Sequence, residues 1–145
     1  MMLTSVARPT PRILPAQHQS FLAFDFGQKR TGVASGNLVA RTAQPLKTIH
    51  ADQTDARFTQ IAKLLQEWQP DALVVGIPTH PDGAPHEMTR LAQKFARQLL
   101  GRFNLPVHEV DERYSSAEAA SRGASDLDAE AAAILLEQFF SELQP

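Results

Sequence analysis

One stretch, SFLAFDFGQKRTGVASGN at residues 20–37, limits what this chain can fold into more than any other. Residues 20–27 form an apolar run suited to a buried strand, residues 27–30 read as a hairpin turn, and TGVASGN reads as the partner strand. The run nevertheless contains Asp25. An ionised carboxylate taken out of water without a partner costs several kcal/mol or more. Two kinds of partner are open to it. Backbone N–H groups can satisfy it as an ordinary turn former at a strand end, or a divalent cation can neutralise it.

The rest of the chain supplies a sheet around that hairpin. ARTAQPLKTI, residues 40–49, predicts a third strand, and Pro45 within it suits a sheet edge. From Asp55 to Trp68, apolar residues recur at Phe58, Ile61, Ala62, Leu64, Leu65 and Trp68 with the spacing of an amphipathic helix, and Pro70 stops it. DALVVGI then reads as a buried strand, and PTHPDGAP as a turn-rich loop. Residues 86–103 predict a second helix with Leu91, Ala92, Phe95 and Leu99 on one face. LPVHEV is a fifth strand, SSAEAASR a short helix and AEAAAILLEQFF a closing helix. The order β-β-β-α-β-α-β-α-α folds, through short right-handed connections, into an α/β mixed sheet with an antiparallel hairpin edge and parallel strands after it, with helices on both faces. With 145 residues and 43% hydrophobic content, one such domain is expected over residues 20–145. Residues 1–19, with Pro9, Pro11 and Pro15 and no sustained period, are expected to be a disordered or extended tail.

In this sheet the strands ending near Phe26, Ile77 and Val110 run parallel, so their carboxyl ends share one rim, where open α/β sheets build their sites. Asp25, Asp82 and the pair Asp111 and Glu112 gather there. Strands lie about 4.8 Å apart, so acids one strand removed start roughly 10 Å apart at the backbone. Their side chains can close that gap around two metal ions about 4 Å apart. Asp128 has a plain structural use as well, since Ser125-Asp126-Leu127-Asp128 fits a capping box with Asp128 in the first helical turn.

Composition narrows the partners. A net charge of −2 and a pI near 6.2 give no global field for a polyanion, so a nucleic acid would have to be gripped by a local patch. Lys29 and Arg30 in the turn, Arg113 beside the acids, and Arg90, Lys94 and Arg97 along one helix face are the candidate grips; each also has an ordinary reading as solvated surface charge. No cysteine is present, and each of the five histidines lacks a partner at zinc-ligand spacing. DFG at residues 25–27 has none of the other kinase motifs around it. Without a signal-peptide core or an 18-residue apolar run, a cytoplasmic protein that does not enter the membrane is expected.

Four segments, FDFGQKRTGVASG, ALVVGIPTHPDGA, VDERYSSAEA and DAEAAAILLEQFF, resemble, in order and near the same spacing, the motifs of the YqgF-type family of pre-16S ribosomal RNA nucleases and Holliday-junction-resolvase-like proteins. The resemblance implies an RNase H-like fold and a metal-dependent endonuclease of phosphodiester bonds. The implied catalytic and metal-binding acids are Asp25, Glu112 and Asp128, with Mg²⁺ or Mn²⁺ as cofactor. Maturation of the 5′ end of pre-16S ribosomal RNA is the implied task. A DNA four-way junction is the alternative substrate, and a non-catalytic nucleic-acid-binding module is a further one. A monomer or a homodimer is compatible with these, though a junction enzyme needs two symmetric sites. An actin-like ATPase also opens with a D-x-G hairpin, but needs a second domain. This chain departs from the family pattern in having His80 where Asn is usual, and in a short connection from Arg113 to the last helix, which leaves the place of Asp128 open.

Overall fold

Among the described residues, eight segments of regular structure follow the apolar pattern of the chain. The computed structural model describes residues 18–78, 86–112 and 126–143. They form β1 (Ser20–Asp25), β2 (Arg30–Asn37), β3 (Thr42–His50), α1 (Thr54–Trp68), β4 (Ala72–Pro78), α2 (Glu87–Phe103), β5 (Val107–Glu112) and α3 (Leu127–Ser141). Most of the tail, the loop with His80 and Asp82, Arg113, and the short helix expected at SSAEAASR lie outside the described residues. Gln19 already belongs to the fold, since its carbonyl accepts from the Leu38 amide at 2.8 Å.

The strands make one sheet in the order β3-β2-β1-β4-β5. β1 pairs antiparallel with β2 and β2 with β3, whereas β1 with β4 and β4 with β5 are parallel. This is the expected mixed sheet. β3 is an edge, and it is blunted there as edges usually are. Pro45 stands opposite Ala34, and the register steps from Val33↔Lys47 to Ala34↔Pro45, which leaves Leu46 as a bulged residue.

Alternation along the strands sends side chains to two different cores. On one face Leu22, Phe24, Val33 and Leu73 meet Phe58 and Ile61 of α1 and Phe95 and Leu99 of α2. Phe95 is its centre, packed edge-on to Phe24 at 5.8 Å and stacked on Phe26 at 4.8 Å. On the other face Phe21, Ala23, Val74 and Val110 meet Leu136, Phe139 and Phe140 of α3. Each fully buried side chain of this size contributes about 1.5–3 kcal/mol, so both faces are needed to hold the sheet. Among the described residues no helix is long and apolar enough to cross a membrane.

The structure corrects several boundaries. α1 buries Phe58, Ile61 and Leu64, but Ala62 and Trp68 are exposed, because the sheet covers a narrower arc than the periodicity allows. Pro70 does limit α1, which closes at Gln69 in a left-handed conformation with φ 45°. β5 extends to Glu112, two residues beyond the expected end, and the closing helix begins at Leu127, ahead of the run AEAAAILLEQFF and one residue after the start that a cap at Ser125 implies. Its N-cap is Asp126, whose side chain accepts from the Ala129 amide at 3.1 Å, so the cap is shifted by one from the expected Ser125.

Candidate active site

Asp25 ends β1 on the α3 side of the sheet, since Phe21 and Ala23 before it face α3 while Leu22 and Phe24 face the other core. Glu112 ends β5 on the same side, two residues past Val110. Asp111 pairs with Ile77, which packs in the opposite core, so the pleat turns Asp111 away from Asp25. Of the adjacent acids, Glu112 is the one that joins the site.

The third acid arrives because α3 comes very close to the sheet. Asp25 stands opposite Gly32 in the hairpin, and a Cβ built on Gly32 would lie 1.8 Å from the Asp128 carbonyl oxygen. Only glycine admits the helix there. Gly36 and Gly76 receive the Leu136 and Leu135 side chains in the same way, so α3 is seated on a floor of glycines and alanines. That seating sets the first turn of α3, and with it Asp128, beside the end of β1.

Convergence shows in the chemistry of Asp25. Its pKa is raised from 3.8 to about 9, first by loss of solvent, then by the charge of Glu112 and a hydrogen bond with it, and last by the charge of Asp128. Asp25 is half-buried by surface, so it still opens to solvent, yet desolvation remains the largest cause. Like charges brought this close favour a retained proton or a cation. Among the described residues no group of three or more His, Asp or Glu is spaced as a ready metal cage. Asp25 instead shares a hydrogen bond with Glu112. The donors themselves suit a hard divalent ion: three carboxylates, all oxygen, from three separate elements.

Asp126 is committed elsewhere. Its Oδ1 accepts from the Ala129 amide and, at 2.6 Å, from the Thr48 hydroxyl, which ties the start of α3 to β3. Arg30, exposed at the start of β2, pairs with Asp128 at 3.3 Å. Lys29 is exposed beside it. Two adjoining clefts, of about 570 and 430 Å³, share Asp25, Arg30 and Asp128. The first runs towards β3, over Thr48 and His50; the second runs along the turn from Phe26 to Lys29. A third cleft of about 520 Å³, at the opposite end of β1, has no acid or base in its wall.

Arg90, Lys94 and Arg97 are exposed on α2, on the opposite face of the sheet from α3, and Arg90 is engaged by Glu87. They are not brought into the clefts around Asp25. Thr48, His50 and Gly32 are not singled out by sequence reasoning. The alternating small residues Gly32, Ala34 and Gly36 are a usable signal of a closely seated helix, whereas His50 reaches the site only through its pairing with Arg30.

A five-stranded mixed sheet with helices on both faces and acids on its rim defines an RNase H-like fold of the junction-resolvase kind. Thermus thermophilus RuvC in complex with a Holliday junction substrate matches it with TM-score 0.54 at 16% identity, over 86% of this chain and 95% of that one. The fowlpox virus Holliday junction resolvase matches with TM-score 0.53 at 15% identity, over 86% and 99%. The family model described as "RuvX: Holliday junction resolvase" matches residues 19–142, and the chain belongs to that family. Two curated relatives, from Albidiferax ferrireducens and a Polaromonas species, are each 62% identical to it. They align with 92% and 90% of this chain and 85% and 94% of their own length, and both bear the name "Putative pre-16S rRNA nuclease".

Proposed function

We propose that this protein is a metal-dependent endonuclease that hydrolyses phosphodiester bonds in the 5′ maturation of pre-16S ribosomal RNA, in the cytoplasm. Family membership and the names of its relatives support the reaction and the substrate. One observation carries the assignment of the site: Asp25 is held near pKa 9 by burial, Glu112 and Asp128, and more than eighty positions of sequence separate Asp25 from the other two. Such perturbed groups in a cleft mark functional sites.

Asp25, Glu112 and Asp128 are the residues to hold Mg²⁺ or Mn²⁺, with Asp25 between the other two. The chemistry such ions supply when bound is acidification of an attacking water and charge compensation at the leaving oxygen. Partial burial of the Asp25 carboxyl lowers the dielectric around it, which strengthens its interactions with neighbouring charges. Arg30 holds Asp128 in place in the free protein and, with Lys29 and Arg113, takes phosphates flanking the cut. The exposed row Arg90, Lys94 and Arg97 serves more distant backbone.

The DNA four-way junction is a second reading, favoured by the family description and by the junction-bound structural neighbour. Mass in solution, followed by cleavage of pre-16S RNA and of a four-way junction with Mg²⁺ and with Mn²⁺, separates the two. A monomer that cuts the RNA, with Asp25→Asn inactive, is expected. A dimer that cuts only the junction would overturn the substrate, and an inactive wild-type protein that still binds RNA would leave a non-catalytic module.

A further inference from the structure

Arg57 has no part in the reaction just described, yet it is the one charged side chain buried among the described residues, with 6% of its surface exposed. It lies in the first turns of α1, beside Phe58, which together with Ile61 and Leu64 already gives that helix its apolar contact with the sheet. A buried charge is weak evidence for stability, since apolar replacements often serve as well. Its partners lie at the site end of the sheet. Nη2 donates to the Gln28 carbonyl at 2.5 Å and to the Ala51 carbonyl at 3.1 Å, and the guanidinium lies 5.0 Å over the Phe26 ring. The Ala51 amide in turn donates to the Lys29 carbonyl at 3.0 Å. The turn between β1 and β2 is thus fastened at Phe26, Gln28 and Lys29 to the segment between β3 and α1. What the fastened turn presents is Lys29 and Arg30, both exposed, at the wall of the cleft that contains Asp25.

We propose that Arg57 is a positioning residue for nucleic-acid binding, which fixes the β1–β2 turn so that Lys29 and Arg30 meet the phosphates flanking the cut. The proposal rests on the nuclease reading, and in particular on phosphate binding by the turn. A turn left free would have to be ordered at every binding event, at a cost to affinity. Arginine suits the task because Nη2, held in the plane of a guanidinium that lies over the Phe26 ring, serves both carbonyls from a fixed orientation, which a flexible lysine ammonium does not.

A double-mutant cycle tests it, with affinity for a single-stranded RNA measured over a range of salt in the Asp25→Asn protein so that nothing is cut. Arg57→Gln is expected to weaken binding about twofold or more. It should also flatten the salt dependence by about 0.7 log units per log salt for each phosphate the turn no longer neutralises. Arg57→Lys should fall between it and the parent. Once Lys29→Ser and Arg30→Ser are both in place, Arg57→Gln should cost nothing more. Equal weakening in both backgrounds overturns the proposal, as does a lowered Tm with an unchanged salt slope, which is what a merely structural arginine gives. Should Arg57→Gln not fold, Arg57→Lys closes the same cycle. Parent-like binding by the Lys29→Ser, Arg30→Ser protein overturns the proposal through its premise while the acids keep their role; absence of RNA binding by the parent protein overturns both the RNA substrate and the proposal as stated for it.

Discussion

Two aspartates meet the two ends of β1, and they show opposite uses of one side chain. At the start of the strand, Asp71 Oδ2 accepts from the Gln19 and Ser20 amides at 2.9 and 3.0 Å and from the Ser20 hydroxyl at 3.2 Å. Those donors hold its pKa below the usual carboxylate value, against a smaller opposing effect of burial. At the other end, Asp25 is desolvated and faces Glu112 and Asp128, and its pKa rises to about 9. A carboxylate supplied with donors ties elements together. One that is desolvated and crowded by its own kind is a site waiting for a cation or a proton, and its strain is held by packing elsewhere.

The sharpest way to test the contrast is Asp25→Asn. It replaces a carboxyl that must hold a proton, because it is desolvated and faces two acids, with an amide that is always neutral. The protein should therefore keep its fold with an unchanged or higher Tm while cleavage falls by about 10³-fold or more, in line with loss of several kcal/mol of metal-ion catalysis. Circular dichroism melts and single-turnover cleavage read the two effects. Loss of fold together with activity would place Asp25 with Asp71, as a structural turn residue.

Gly32→Ala breaks the geometry without touching an acid. With the Asp128 carbonyl 1.8 Å from the new Cβ, helix and strand must part. Overpacking of this kind costs about 1–3 kcal/mol, occasionally more. Displacement of Asp128 on the scale of about 1 Å should lower cleavage by about 10²-fold. The same change at Gly101, which has nothing within 4 Å, should be neutral or slightly stabilising and serves as the control. Equal activity of the two variants would show that Asp128 is not placed by the seating of α3.

This dependence on close seating also explains what the sequence can and cannot disclose. Apolar runs and helical spacing disclose β1, β2, β4, α1 and α2 and the parallel rim, because these elements are buried by residues adjacent in their own segment. The end of β5 escapes such a reading, since Asp111 and Glu112 look like loop residues until a rim gives them neighbours, whereas the capping box places the start of α3 to within one residue. Trp68 falls on the apolar stripe yet is exposed, because periodicity reports which residues share a face, not how far the sheet extends beneath it. The acids themselves come from their motifs. Which of Asp111 and Glu112 faces Asp25 follows from the strand pairing. Asp126 is occupied by its cap bond from the Ala129 amide and, across 78 residues, by the Thr48 hydroxyl, and the second of these no local pattern discloses.

Metal and pH sharpen the comparison further. Between about pH 4 and 9 the folded protein keeps a proton on Asp25 that the unfolded chain releases, so without metal this group makes stability fall as pH rises across that window. Asp25→Asn should flatten that slope in melts run in EDTA from about pH 5 to 9. A cation replaces the proton, so Mg²⁺ or Mn²⁺ at a hundred times its Kd should add about 2.7 kcal/mol, through mass action. At one fixed metal concentration the gain should be larger at about pH 8 than at about pH 6, where the proton competes and raises the apparent Kd. A metal effect that is independent of pH, or that survives Asp25→Asn undiminished, would detach the cation from this carboxyl.

The smallest effect belongs to the satisfied end. Asp71→Ala removes an acceptor from two amides and a hydroxyl close to solvent, where water takes over part of the role, so the loss should be about 1–2 kcal/mol. Its pH signature has the opposite sign to that of Asp25. The folded pKa of Asp71 is lowered, so its contribution is complete above its ordinary value of 3.8 and is lost as pH falls through the lower folded value. Cleavage at saturating substrate should not change, because Asp71 meets the start of β1 and the acids meet its end. Loss of activity without loss of stability in Asp71→Ala would mean that strain at Asp25 is held through the whole strand rather than locally at the rim. The two ends would then be one device, and Asp71 would belong to the site.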